Sequence, residues 1–237
     1  MINVKEVEQG SLEWFELKWG KIGGTASSGL RVKSETLFID ILSQRGEEFE
    51  FVEGYESDAI SRGHDLEPFA REYIGKFVGV EFEQTGWLQS EENVLMGISP
   101  DGITADETKC CEIKCLSRKK HWEILLKNEI PKEYVDQVIQ YFTVNPKLEE
   151  LHFIAYRPES GKPFIQKVTR ATEFDLGEKK KVEVPQISEK TGKPIASKWV
   201  TERVLTTVAD ACESNMEMAN ELLSRIEKVE EANQSNF

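Results

Sequence analysis

The segment SPDGITADETKCCEIKCL, residues 99–116, carries a strand, a turn and the sharpest chemical pattern in the chain. Residues 109–116 (KCCEIKCL) are short, compact and mostly apolar, as a buried strand is. SPDGI, residues 99–103, reads as a turn leaving one strand and entering the next. Side chains two apart on a strand share a face, so Glu112 and Lys114 point the same way. With residues 99–103 and 109–116 as neighbours, Asp101 lies beside Glu112. Two carboxylates with the Ile113 carbonyl between them make a hard-oxygen seat suited to Mg2+ or Mn2+. Lys114 then stands where it can orient or deprotonate a water, or offset charge developing on a phosphate. The bare D-x(10)-E-x-K spacing arises easily by chance in a chain that is 31% charged, so its placement inside an apolar strand is the stronger point. A charge there must be paired or bound to a metal. The alternative is an edge strand, with Cys111, Ile113 and Cys115 inward and Glu112 and Lys114 in solvent.

Outward from this segment the periodicity alternates between helix and strand. Residues 11–19 fit a short helix capped by Ser11, followed by the Gly-, Ser- and Thr-rich turn of residues 20–30. Residues 61–77 predict a helix with Leu66, Phe69, Ala70, Tyr73 and Phe77 on one face, interrupted by Glu67. Residues 81–88 and 91–98 read as strands, 119–126 and 132–144 as helices, and 151–156 and 164–168 as strands. This order predicts an α/β fold with a central mixed β-sheet flanked by helices. Residues 176–200, holding Pro185, Gly192 and Pro194, read as a loop, a hairpin arm or an insertion. A long C-terminal helix is expected over 201–231, serving either oligomerisation or packing on the core, with the residues after it frayed.

The composition narrows the class. A chain of 237 residues at 39% hydrophobic reads as a single domain spanning 1–237, with a core over about 11–175, the arm over 176–200 and the helix over 201–231. Five Trp and twelve Phe exclude disorder throughout. No run approaches the ~20 apolar residues of a membrane span. The start lacks a basic then apolar signal, so a cytoplasmic location is expected, with Cys110, Cys111, Cys115 and Cys212 as reduced thiols. The net charge of −13 argues against a general nucleic-acid coat. Residues 109–133 and 178–198 are nonetheless basic islands of net +3 each.

Glu67, beside Pro68 on the apolar helix face, can direct a third carboxylate at the sheet, or can be a helix-start carboxylate favoured by the macrodipole. Arg62 and His64 can hold Glu67 or reach a phosphate.

Taken in order, EWFELKWGKIGGTASS, RGHDLEPFARE, GISPDGI, CCEIKC and YVDQVIQYFTV resemble the lambda-exonuclease-type (YqaJ-like) viral recombinases, within the PD-(D/E)XK nucleases. The resemblance covers roughly residues 11–156 and implies a restriction-endonuclease-like core. It also implies a Mg2+-dependent 5′→3′ exonuclease, with Mn2+ able to substitute. Such an enzyme digests one strand of linear duplex DNA bearing a 5′ phosphate and leaves a 3′ overhang for a single-strand annealing protein. A homotrimeric ring, no membrane and, for a phage-encoded protein, the bacterial host cytoplasm follow from the same resemblance. Carried over by residue, Asp101 and Glu112 are the metal-binding acids, Lys114 the catalytic lysine, Glu67 the helix acid and Gln137 the glutamine near the scissile bond. Lys18 takes the basic position that holds the 5′ phosphate, with Thr25, Ser27 or Ser28 as the hydroxyl. Lysine there is a point charge, not a bidentate fork. Two alternatives remain: an internally cutting or single-strand-trimming nuclease, and a silent DNA-binding scaffold.

Overall fold

The computed structural model describes residues 2–4, 7–51, 58–189 and 191–234. Its elements run β1 (Ile2–Val4), α1 (Leu12–Lys18), α2 (Ser27–Arg31), α3 (Glu35–Gly46), α4 (Asp58–Val78), β2 (Trp87–Gln89), β3 (Gly97–Ile98), β4 (Gly102–Ile103) and β5 (Lys109–Lys114). There follow α5 (Arg118–Lys127), α6 (Lys132–Val144), β6 (Glu150–Ala155), β7 (Phe164–Val168), β8 (Glu173–Phe174), β9 (Lys179–Ile187), β10 (Pro194–Arg203), β11 (Thr206–Thr207) and α7 (Val208–Gln234).

The mixed sheet has the order β4-β5-β6-β7. β5 and β6 are parallel, while β4 and β7 run antiparallel to their neighbours. A parallel pair needs a crossover, and α5 and α6 supply it. Alternation divides the sheet's side chains between two layers. Cys110, Leu151, Phe153 and Ala155 join the larger core under α6 and α7, whereas Cys111, Ile113 and Ile154 join Ala70 and Ile74 of α4 in a smaller one. Helices thus cover both faces of the sheet, as the sequence order predicts.

Several boundaries differ from the sequence reading, each for a local reason. The strands expected over 81–88 and 91–98 shrink to β2 and β3 because Ser90 and Asn93 use their side chains to build a turn. Asn93 N–H donates to Ser90 Oγ at 3.2 Å and Leu95 N–H to Asn93 Oδ1 at 2.9 Å. The C-terminal helix starts at Val208 instead of 201. Thr201 and Arg203 continue β10, Thr206 and Thr207 pair with β8, and Thr207 Oγ1 then accepts from Asp210 N–H at 3.1 Å as the cap. Residues 232–234 belong to that helix; residues 235–237, expected frayed, lie outside the described residues. Residues 176–200 resolve in favour of the hairpin arm, β9 paired with β10. Helix α3, capped by Ser34 and burying Phe38 and Ile41, was not anticipated. No described helix is long and apolar enough to cross a membrane.

Candidate active site

Strand β5 brings the chemistry together. Glu112 is 2% exposed, on an inner strand with Phe153 of β6 directly opposite, which removes the edge-strand alternative. Its carboxylate accepts from three donors. Gln137 Nε2 donates to Oε1 at 2.7 Å, Lys114 Nζ lies 2.5 Å from the same oxygen, and the Tyr141 hydroxyl donates to Oε2. Gln137 and Tyr141 are four apart on α6, so one helical face presents both.

Asp101 arrives from the turn before β4, which ends its pairing at Gly102↔Cys111 and leaves the next stretch of β5 open. There Ile113 N–H donates to Asp101 Oδ2 at 2.6 Å. The Lys114 carbonyl faces β6, accepting from Tyr156 N–H at 2.9 Å. By strand alternation the Ile113 carbonyl therefore projects to the Asp101 side, between the two acids. The turn is pinned from three sides. Arg71 Nε donates to the Asp101 carbonyl, Trp14 Nε1 to Ser99 Oγ at 2.9 Å, and Gln9 Nε2 to the Pro100 carbonyl at 3.0 Å.

Glu67 sits well inside α4, which begins at Asp58, so the macrodipole does not account for it. Burial raises its pKa and Glu112 adds to the rise, while His64 and Arg71 oppose it. Arg62 does not hold Glu67; its Nη2 is committed to both oxygens of Glu159, at 2.7 and 2.8 Å.

The electrostatics describe a place built for added positive charge. Burial, then the adjacent Glu112 charge, hold Asp101 well above the usual carboxylate range. For Lys114, burial alone would lower the pKa, but Glu112 and Asp101 outweigh it and keep the ammonium charged. Burial and Glu112 push Tyr141 up, so its hydroxyl remains a donor. Among the described residues, no three His, Cys, Asp or Glu side chains close into a set that could hold an ion. Glu67 is thus near Asp101 and Glu112 without completing a triad. Two carboxylates and a carbonyl still fit Mg2+, which typically takes one or two protein carboxylates and keeps several waters.

Asp101→Asn keeps the acceptor for Ile113 N–H and removes the unfavourable charge. In EDTA at neutral pH the variant is expected to melt roughly 2–4 °C above the parent. Above the ordinary aspartate value of about 4, the native parent binds more protons at this position than the unfolded chain, so this contribution to stability falls as pH rises. The gap should therefore close toward pH 4; calorimetry showing no gap at pH 7 would refute the charge argument.

The glycine-rich turn packs beside the acids. A Cβ on Gly24 would lie 2.8 Å from Gln137 Cγ, so only glycine lets this backbone touch the side chain that donates to Glu112. Lys18 leaves α1 with Nζ 3.5 Å from the Trp14 ring centroid, and burial lowers its pKa to about 8. Ser27 is buried and donates to the Gly24 carbonyl at 2.6 Å, whereas Thr25 and Ser28 are exposed.

The sequence reading missed Tyr141, Tyr134 and Arg71. Tyr141 and Tyr134 lie four after and three before Gln137, a helical spacing that was available to find them. Tyr134 places its ring 5.0 Å from Lys114 Nζ. Nothing in the local sequence marks Arg71.

The sequence model of the YqaJ-like viral recombinase domain matches residues 13–147. No curated protein sequence matches the chain. Among solved structures, the fold is similar to an alkaline exonuclease, LHK-Exo, from Laribacter hongkongensis, with TM-score 0.67 and 18% identity over 96% of this chain and 100% of that one. The LHK-Exo complex with dAMP gives TM-score 0.67 and 19% identity at the same coverage. A phage-related exonuclease from Haemophilus somnus 129PT gives TM-score 0.43 and 16% identity, covering 95% of this chain and 91% of that one.

Proposed function

Because the chain belongs to the YqaJ-like viral recombinase family, we propose that it is a metal-dependent 5′→3′ exonuclease that digests one strand of linear duplex DNA. The 3′ overhang left behind is the substrate of a single-strand annealing partner, and the working assembly is a homotrimeric ring. The observation that carries the activity is Glu112, buried on β5 with Asp101 and Lys114 around it. Support for the substrate comes from the shared fold with an alkaline exonuclease whose structure contains dAMP, a nucleotide that digestion of DNA releases.

Asp101, Glu112 and the Ile113 carbonyl would hold Mg2+, with Mn2+ able to substitute and Glu67 adding negative field from α4. When bound, the ion neutralises phosphate charge and lowers the pKa of a water. Lys114, kept as an ammonium, offsets the charge that develops on the phosphate; that state suits it less to deprotonating water. Gln137 and Tyr141 fix the Glu112 carboxylate so that its lone pairs are aimed before substrate arrives.

Lys18 and the exposed hydroxyls of Thr25 and Ser28 receive the terminal 5′ phosphate; Ser27 is already spent on the Gly24 carbonyl. Arg62 enters any DNA contact already paired through Nη2 with Glu159. Lys18→Met is expected to reduce the preference for 5′-phosphorylated over 5′-hydroxyl ends by about tenfold or more, the value of one charge-assisted hydrogen bond. The cationic form of Lys18 is lost as pH rises past about 8, so the parent's preference should fade there as well.

The deciding experiment incubates end-labelled linear duplex, with and without a 5′ phosphate, in Mg2+ or EDTA, beside closed circular DNA. Mg2+-dependent loss from the 5′ end with the circle intact supports the proposal. A cut circle would indicate an internally cutting nuclease, and binding with no digestion a scaffold.

A further inference from the structure

The hairpin β9–β10 stands apart from the rest of the molecule in both packing and charge. No described side chain between residues 179 and 203 is buried. Residues 178–203 carry net charge +3 in a chain of −13.

Directly opposed residues of an antiparallel pair share a face. One face therefore holds Lys179 with Arg203, Lys181 with Thr201, Glu183 with Trp199, and Pro185 with Ser197. The half-buried Val182, Val184 and Val200 lie on the other. On the first face Trp199 is 66% exposed. Glu183 accepts from the Ser197 hydroxyl, which lies on the side of Glu183 away from Lys181. Arg203 reaches Asp175 at 3.2 Å, while Lys179 and Lys181 form no ion pair among the described residues. Two lysines whose Cα atoms stand about 7 Å apart on one strand face, beside an open indole, are the two halves of a nucleic-acid track: charge for the backbone and a flat surface for a base.

The root of the arm is tied to the start of α6. Asp175 binds both Arg203 and Lys132, the latter at 3.1 Å. Lys132 opens α6 two residues before Tyr134, whose ring lies against Lys114. A cavity of about 320 Å³ opens beside Lys132 and Tyr134; its charges balance, Lys120, Lys127 and Lys132 against Glu123, Glu129 and Glu133, so the positive charge of the track comes from the arm itself.

We propose that this arm binds single-stranded DNA, with backbone phosphates on Lys179 and Lys181 and an unstacked base on Trp199. A duplex exposes base faces only at its two ends, whereas a single strand offers one at every nucleotide, which favours the single strand. That the strand is the one spared by digestion rests on the nuclease reading; the binding itself does not.

The test uses the full chain in EDTA and measures anisotropy of fluorescein-labelled oligo(dT) of about twenty nucleotides, and of a blunt duplex of equal length, across a salt series. Trp199→Ala should weaken oligo(dT) binding by roughly tenfold, as the loss of one stacked base would, without altering the salt dependence. Trp199→Phe should restore most of the affinity. Lys179→Gln with Lys181→Gln should make the slope of log affinity against log salt shallower by about 1.4. Unchanged oligo(dT) affinity in both variants, or an equal loss for duplex, would overturn the proposal. So would a fall in oligomer mass for Trp199→Ala, which would make the arm a contact between copies. If the parent fails to digest DNA in Mg2+, the nuclease reading falls and the oligo(dT) result still decides the arm.

Discussion

Replacing Glu112 with glutamine is expected to abolish digestion of linear duplex, by at least about a thousandfold, while leaving DNA binding in EDTA intact. The side chain keeps its length, so packing against α6 survives, but it loses the charge that faces Lys114 and Asp101. The amide also presents N–H groups where Gln137, Lys114 and Tyr141 already donate. Glu112→Ala should be equally inactive and, in addition, less stable, because the Lys114 ammonium and the Gln137 amide lose their shared acceptor, and Tyr141 keeps only the Ser99 carbonyl at 3.2 Å. Release of acid-soluble nucleotide from labelled linear duplex is the measurement. Activity of the glutamine variant within tenfold of the parent would mean that Glu112 is a structural acid.

The largest loss of stability should come from Phe153→Ala. Phe153 is 0% exposed, with the Tyr134 ring at 5.6 Å and the Phe164 ring at 6.3 Å, and it pairs in register with Glu112. Deleting a fully buried phenyl ring costs about 3–5 kcal/mol, which for a chain of this length lowers the melting temperature by on the order of 10 °C. The cavity would also free Tyr134, and through it the position of Lys114. Calorimetry of the variant beside Trp199→Ala gives the contrast, because the exposed indole should leave the transition unmoved.

Strong periodicity made the centre of the molecule readable. Helix α6 and strand β7 occupy the residues predicted from pattern alone, and β5 carries its acid and lysine on the shared face expected of a strand. What escaped the sequence depends on contacts across long separations. Arg71 matters through a backbone carbonyl thirty residues away, and the Gly24–Gln137 approach needs the fold to bring the two together. Thr201 to Thr207 misled because Val204, Leu205 and Val208 happen to sit at helical spacing, while the intervening threonines favour strands and a cap. Arg62 was aimed at Glu67 by neighbourhood in sequence; Glu159, distant in sequence, claims it instead.

Helix α7 lies over α6, with Val208, Ala211, Cys212, Ala219 and Ile226 completing the core on that side. Every charged group of the site, from Glu67 to Lys114, and the strand that seats it are translated before this covering helix exists. At about 5–20 residues per second, the ribosome needs several seconds to pass from β6 to the end of α7. Through that interval the residues of the candidate site have been made while the apolar surface of α6 that α7 covers has no partner. Synthesis that stalls between the two would release a species prone to stick to its neighbours.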